Sequence, residues 1–147
     1  MSDEHVVEYD ENTISVLEAV WGEGFMSPGG TEEIDRVLGN VDLSQARVLD
    51  IGCGIGGAAV HIALTRKPMA ITGVDIEENL VDLSQTLADK NGVSDICSFQ
   101  QVDPGPLPFE SESFDIVFSK DSIIHITDKF GLAENVYQLL APGGLFL

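Results

Sequence analysis

Apolar residues follow two rhythms along this chain. Up to about residue 45 they recur at helical spacing between polar neighbours; beyond it, short dense apolar runs alternate with longer helical stretches. Asn12 or Thr13 is placed to cap a short helix through Trp21, with Ile14, Leu17, Ala19 and Trp21 apolar. The segment 22–30 is glycine-rich and reads as a loop. Thr31 then caps a second helix ending at Gly39-Asn40, with Glu32, Glu33 and Asp35 beside the positive end of its dipole. Strands are expected over 46–51, 69–76, 96–102 and 114–119, and helices over 56–65, 77–91 and 129–140. Leu80, Leu83 and Leu87 form the apolar stripe expected on the 77–91 helix. A turn is expected at Ala141-Pro142-Gly143-Gly144, with Leu145-Phe146-Leu147 starting a fifth strand. Strands alternating with helices give an α/β fold, a doubly wound parallel sheet with helices on both faces. A sheet stopping inside its fifth strand leaves an apolar parallel edge, which natural folds avoid. Two expectations follow: the sequence is part of a longer chain, or a partner, in the simplest case a second copy, covers the edge.

Length and pattern give one domain in two parts. Residues 1–45 form an N-terminal arm and helices acting as a lid, and residues 46–147 form the core, incomplete at its C-terminal end. Seven Lys and Arg stand against 25 Asp and Glu, a net charge of −18. Such a surface repels nucleic acid and anionic lipid and suits a small or cationic partner. Most of the acid is read as a solubilising face. No apolar run is long enough to span a membrane, and Met1-Ser2-Asp3-Glu4 opens no secretory signal, so the cytoplasm is the expected compartment. Cys53 and Cys97 are too few for a disulfide framework, and no Cys/His spacing suggests a metal.

The chemistry concentrates in Val48-Leu-Asp-Ile-Gly-Cys-Gly-Ile-Gly-Gly57, which runs from strand into helix. Gly52, Gly54 and Gly57 match G-x-G-x-x-G, the signature of a backbone that must approach a nucleotide-like ligand closely. Asp75 closes the next strand, about 20 residues on, where a ribose-binding acid belongs. The fold expected is therefore Rossmann-like. These features alone fit NAD and S-adenosylmethionine equally. Asp50, two residues before the first glycine, separates them. A carboxylate there repels a pyrophosphate and favours S-adenosylmethionine, which carries an ammonium and a sulfonium. Ile76 packs either on the adenine or in the core. Asp103 either accepts from the adenine amino group or turns the chain before Pro104-Gly105. Pro104 lacks the backbone N–H that could serve the adenine.

Three segments resemble class I S-adenosylmethionine-dependent methyltransferases, and most closely the phosphoethanolamine N-methyltransferases and their bacterial relatives. They are Trp21-Gly-Glu-Gly-Phe-Met-Ser-Pro-Gly-Gly30, the 48–57 loop, and Phe118-Ser-Lys-Asp-Ser-Ile-Ile-His-Ile126, the last being the most specific. The resemblance spans roughly residues 9–147 but only the cofactor half of that family's enzymes; their phosphate-binding residues lie beyond the fifth strand. It implies methyl transfer from S-adenosylmethionine, leaving S-adenosylhomocysteine, to a small-molecule acceptor, an amine nitrogen. It also implies that Tyr9 and His125 close over the substrate, that Asp121 lies near the acceptor nitrogen, and that Met26 and Ser27 line the cofactor. Lys120 is expected to be solvated, His5 and His61 to be ordinary histidines, and Trp21 to be a core anchor. The competing readings are an NAD-type oxidoreductase and a cofactor-binding module without catalysis.

Overall fold

The computed structural model describes residues 9–147; the arm before Tyr9, His5 included, lies outside the described residues. The strands are β1 (Arg47–Ile51), β2 (Ala70–Asp75), β3 (Cys97–Gln101), β4 (Phe114–Phe118) and β5 (Leu140–Phe146). The helices are α1 (Glu11–Trp21), α2 (Gly30–Leu38), α3 (Gly57–Arg66), α4 (Glu78–Lys90) and α5 (Lys129–Leu139). One sheet orders the strands β3-β2-β1-β4-β5, all parallel. The expected doubly wound sheet is thus present through its fifth strand.

Period-two alternation sorts the core into two layers. Val48, Ile71 and Phe118 pack with Ile34 and Leu38 of α2, Ile62 of α3 and Ala88 of α4. Leu49, Ile51, Val74 and Val117 pack on the opposite face with Val136 and Leu139 of α5. The order reverses at β1: the chain goes next to β2 on one side and later to β4 on the other. A crevice opens at the carboxyl ends of the strands at such a reversal, and ligands of doubly wound sheets bind there.

Local details depart from the pattern-based reading for identifiable reasons. Asp10 caps α1, its carboxylate accepting from Thr13 N–H at 2.7 Å, so Thr13 is the donor rather than the cap. Gly29, in a left-handed conformation, precedes α2, and Thr31 lies inside that helix. Leu80, Val81, Ser84 and Ala88 are the buried face of α4, while Leu83 is 40% exposed; Leu87 only packs partly against the core. Trp21 is 38% exposed at the end of α1 and does not anchor the core. The turn expected at 141–144 is absent, because α5 runs directly into β5. Gly143, with φ of 81°, absorbs an irregular register in which Phe114 pairs with Leu140 and Ile116 with Leu145.

Leu49 sits on the central strand, fully buried between β2 and β4. Leu49→Ala leaves a cavity there and should cost about 2–5 kcal/mol in urea unfolding. A loss within experimental error of zero would mean that β1 is not the centre of the core.

Candidate functional site

The crevice is a cavity of about 930 Å³. Its walls contain Tyr9, Met26, Ser27, Asp50, Gly52, Gly54, Asp75, Ile76, Asp103, Asp121 and His125, so the structure brings the candidate catalytic and cofactor-binding side chains to one place; Gly57, the third glycine of the motif, is not among the lining residues.

Backbone geometry builds the floor. Gly52 and Gly54 leave β1 with φ of 71° and 54°, a region that L side chains rarely adopt. A Cβ on Gly52 would lie 2.2 Å from Ser122, and one on Gly57 would lie 2.2 Å from the Gly24 carbonyl. The loop is held by Gly52 and Cys53 N–H donating to Val74 O at 2.8 and 2.9 Å. Ser84 Oγ donates to Gly54 O at 2.7 Å. Asp75 accepts from Gly54 N–H at 2.9 Å and from Glu77 N–H at 3.2 Å. Its carboxylate therefore organises the loop besides lining the cavity. Ile76 is 48% exposed, which places it on the cavity wall rather than in the core. Asp103 is exposed on that wall, next to Val102, whose N–H donates to Asp75 O at 2.9 Å.

Two further segments close over this floor. The α1–α2 loop is tied down by Gly57 N–H donating to Gly24 O at 2.9 Å, and it sets Met26 Sδ above Gly54. Tyr9 packs beside Ile14, Ile55 and Leu80, and its carbonyl accepts from Asn79 Nδ2 at 3.0 Å. After β4, Ser119 and Ser122 both donate from Oγ to Ile51 O, at 2.9 and 2.8 Å. This double serine clasp, which the sequence reading missed, binds the end of β4 to the end of β1. Asp121 follows with φ of 60°. Lys120 and Ser27 hydrogen-bond its carboxylate, Lys120 chiefly, and hold its pKa below the usual carboxylate value. His125 ends one tight helical turn, Ile123–His125, with its ring exposed. Lys120 is not solvated, as expected from its type, but only 10% exposed and ion-paired. His61 lies away from the cavity and bonds Asp35 at 3.0 Å.

Asp50 decides what the cavity can hold. Its side chain is 2% exposed, and Oδ2 has no hydrogen-bond partner among the described residues. Burial, with the charge of Asp75 adding, raises its pKa from 3.8 to about 7. A buried polar atom left unpaired is costly unless a ligand completes it. At the floor of this cavity, a cationic group completes it and a pyrophosphate does not. The site therefore fits S-adenosylmethionine, whose ammonium and sulfonium are both positive.

Comparison with known proteins agrees. Residues 42–147 match the model of a family described as methyltransferase domain. The chain belongs to that family. It is 35% identical over 144 residues to phosphoethanolamine N-methyltransferase 1 of Triticum aestivum, covering 96% of this chain and 28% of that protein. It is 31% identical over 141 residues to 27-O-demethylrifamycin SV methyltransferase of Amycolatopsis mediterranei, covering 88% of this chain and 52% of that protein. Among solved structures, it resembles phosphoethanolamine N-methyltransferase 2 of Haemonchus contortus in complex with phosphomonomethylethanolamine and S-adenosylhomocysteine. That match has a TM-score of 0.85 and 33% identity, and covers 96% of this chain and 33% of that one. The chain thus spans between about a quarter and a half of the relatives' length. The glycine loop is that of a class I S-adenosylmethionine-dependent methyltransferase domain, not of an NAD-type oxidoreductase.

The Asp50 carboxyl gives a pH signature. Its folded pKa of about 7 lies above the ordinary 3.8, so the folded state binds the extra proton between these values. Its contribution to stability is full below the ordinary pKa and is lost as pH rises through about 7. Asp50→Asn should therefore gain on the wild type in urea unfolding as pH rises from 4 to about 7, and hold a constant margin above. A margin independent of pH over that window would show that Asp50 ionises normally.

Proposed function

We propose that this methyltransferase domain holds S-adenosylmethionine in the crevice and methylates the nitrogen of a small amine. The observation that carries the reading is the buried Asp50, whose Oδ2 has no partner among the described residues, at the floor of a cavity whose rim gathers Tyr9, Asp121 and His125. When bound, the cofactor supplies an electrophilic methyl group on a sulfonium. Asp50 pairs with the positive methionine end. Asp75, on the cavity wall at the end of β2, offers its carboxylate to the ribose hydroxyls. Ile76 and Asp103 flank the adenine, and Met26 and Ser27 close the methionine side.

On the acceptor side, Asp121 remains ionised and orients the incoming ammonium. An amine attacks only through a free lone pair, so His125 takes its proton. Imidazole suits that task near neutral pH. Tyr9 closes the site from the N-terminal side, and the fixed geometry supplies most of the remaining acceleration. Lys120 is the only Lys or Arg among the described residues lining the cavity, and it is already paired with Asp121 and Glu33. The acceptor proposed is a phosphoethanolamine-like or other small amine. No helix among the described residues is long and apolar enough to cross a membrane. The compartment that suits the reading is the cytoplasm.

Two measurements test this. Asp75→Ala should weaken S-adenosylhomocysteine binding by about 1–3 kcal/mol in calorimetry, and unchanged affinity would remove it from the site. Single-turnover methylation of a panel of amines, phosphorylated and not, tests the acceptor side. His125→Ala should slow the best acceptor about 100-fold or more while leaving cofactor affinity nearly intact, and Tyr9→Phe should do less. Wild-type turnover in His125→Ala would make the histidine structural.

A further inference from the structure

Lys120 makes bonds that the chemistry above does not use. Its ammonium donates to Ser27 Oγ at 2.9 Å, to Pro28 O at 2.7 Å and to Asp121 Oδ2 at 2.5 Å. Three acceptors saturate its three N–H groups. Glu33 Oε2, 3.5 Å away, adds a second negative charge. The Glu33 side chain folds back over Gly29, where a Cβ would lie 1.9 Å from its carboxylate. The four partners come from the α1–α2 loop, the first turn of α2 and the loop after β4, which share no strand or helix. A largely buried ammonium is retained only when fully paired, and this one is. With two carboxylates beside it, it also puts no net positive charge on a wall that faces a cationic ligand.

We propose that Lys120 is a positioning residue that latches the α1–α2 loop to the loop after β4 and fixes Ser27 and Asp121 as one hydrogen-bonded unit. The proposal rests on the cofactor and acceptor roles given above to those two residues, but the latch itself is a property of the unliganded fold. Ser27 lies on the cofactor side and Asp121 on the acceptor side, so the latch couples the two ends. It also holds Asp121 in a left-handed turn that residues other than glycine seldom adopt. The other end of the same loop is tied separately, through Gly24 and Gly57. Losing the latch should therefore free the loop locally without unfolding the sheet.

The test compares the wild type with Lys120→Met, which keeps the stem but loses charge and donors, and with Lys120→Arg, which keeps both. Amide exchange of residues 26–30 should quicken about tenfold or more in Lys120→Met, with β1 and β4 unchanged, and stay near wild type in Lys120→Arg. S-adenosylhomocysteine should bind Lys120→Met about tenfold more weakly in calorimetry, with Lys120→Arg restoring most of the loss. A folded Lys120→Met with wild-type exchange over 26–30 and wild-type affinity overturns the proposal. If Lys120→Met does not fold, Ser27→Ala, which removes one latch bond from the other side, must quicken exchange in the same segment, and its failure to do so overturns the proposal equally. A wild type that binds no S-adenosylhomocysteine sinks the cofactor reading, and the exchange comparison then decides the latch alone.

Discussion

Three separate stretches of chain meet on the glycine loop after β1 at distances that leave no room for a methyl group. Ser122 presses on Gly52, Gly24 presses on Gly57, and Ser84 lies 3.0 Å from where a Cβ of Gly56 would stand. Each contact needs glycine for a different neighbour, and each brings a different wall of the cavity into place. The α1–α2 loop, carrying Met26 and Ser27, is seated by Gly24. The loop after β4, carrying Asp121 and His125, is seated by Ser122. The start of α3 is set against α4 through Gly56. A side chain at Gly52 or Gly57 would have to displace a neighbour now 2.2 Å from its Cβ, a shift on the scale of about an ångström that matters for a reacting pair.

The electrostatics follow from the same crowding. Packing the end of β1 under three segments removes water from Asp50 and leaves one oxygen without a partner among the described residues. Its raised pKa measures that desolvation, with the Asp75 charge as a smaller contribution. Asp121, by contrast, stands beside a lysine and a serine and is held ionised. The two ends of the cavity thus carry carboxyls pushed in opposite directions. One awaits a cation, and the other already has one. A chain with a net charge of −18 surrounds both with a field that attracts positive ligands.

Much of this was legible in the sequence, and most of what was not shares a cause. Strand and helix positions held to within a residue or two wherever apolar periodicity and glycine stops agreed, as from β1 through β4. Most of the readings that failed involved residues whose place depends on the surrounding fold. Asp10 rather than Asn12 or Thr13 caps α1, and nothing local ranks these three caps. Trp21 looks like a core residue by type but ends a helix facing solvent. Pro142-Gly143-Gly144 has turn composition, yet at a sheet edge it extends into a bulged strand. Lys120 looks solvated because lysines are; only the fold reveals that Ser27 and Pro28, more than 90 residues earlier, supply its acceptors. The serine clasp on Ile51 was invisible for the same reason.

That division explains why the cofactor can be read from this chain more firmly than the acceptor. The cofactor side is written in contiguous sequence: strand, glycines and acid lie between Val48 and Asp75, and their spacing is fixed by one β-α-β unit. The residues proposed for the acceptor side come from an N-terminal tyrosine and the loop after the fourth strand, which no local spacing relates. Relatives 35% and 31% identical to this chain are named phosphoethanolamine N-methyltransferase and 27-O-demethylrifamycin SV methyltransferase. A shared fold thus does not by itself name the acceptor. Discrimination among acceptors has to reside in the few side chains at the rim and in whatever covers the far side of the cavity.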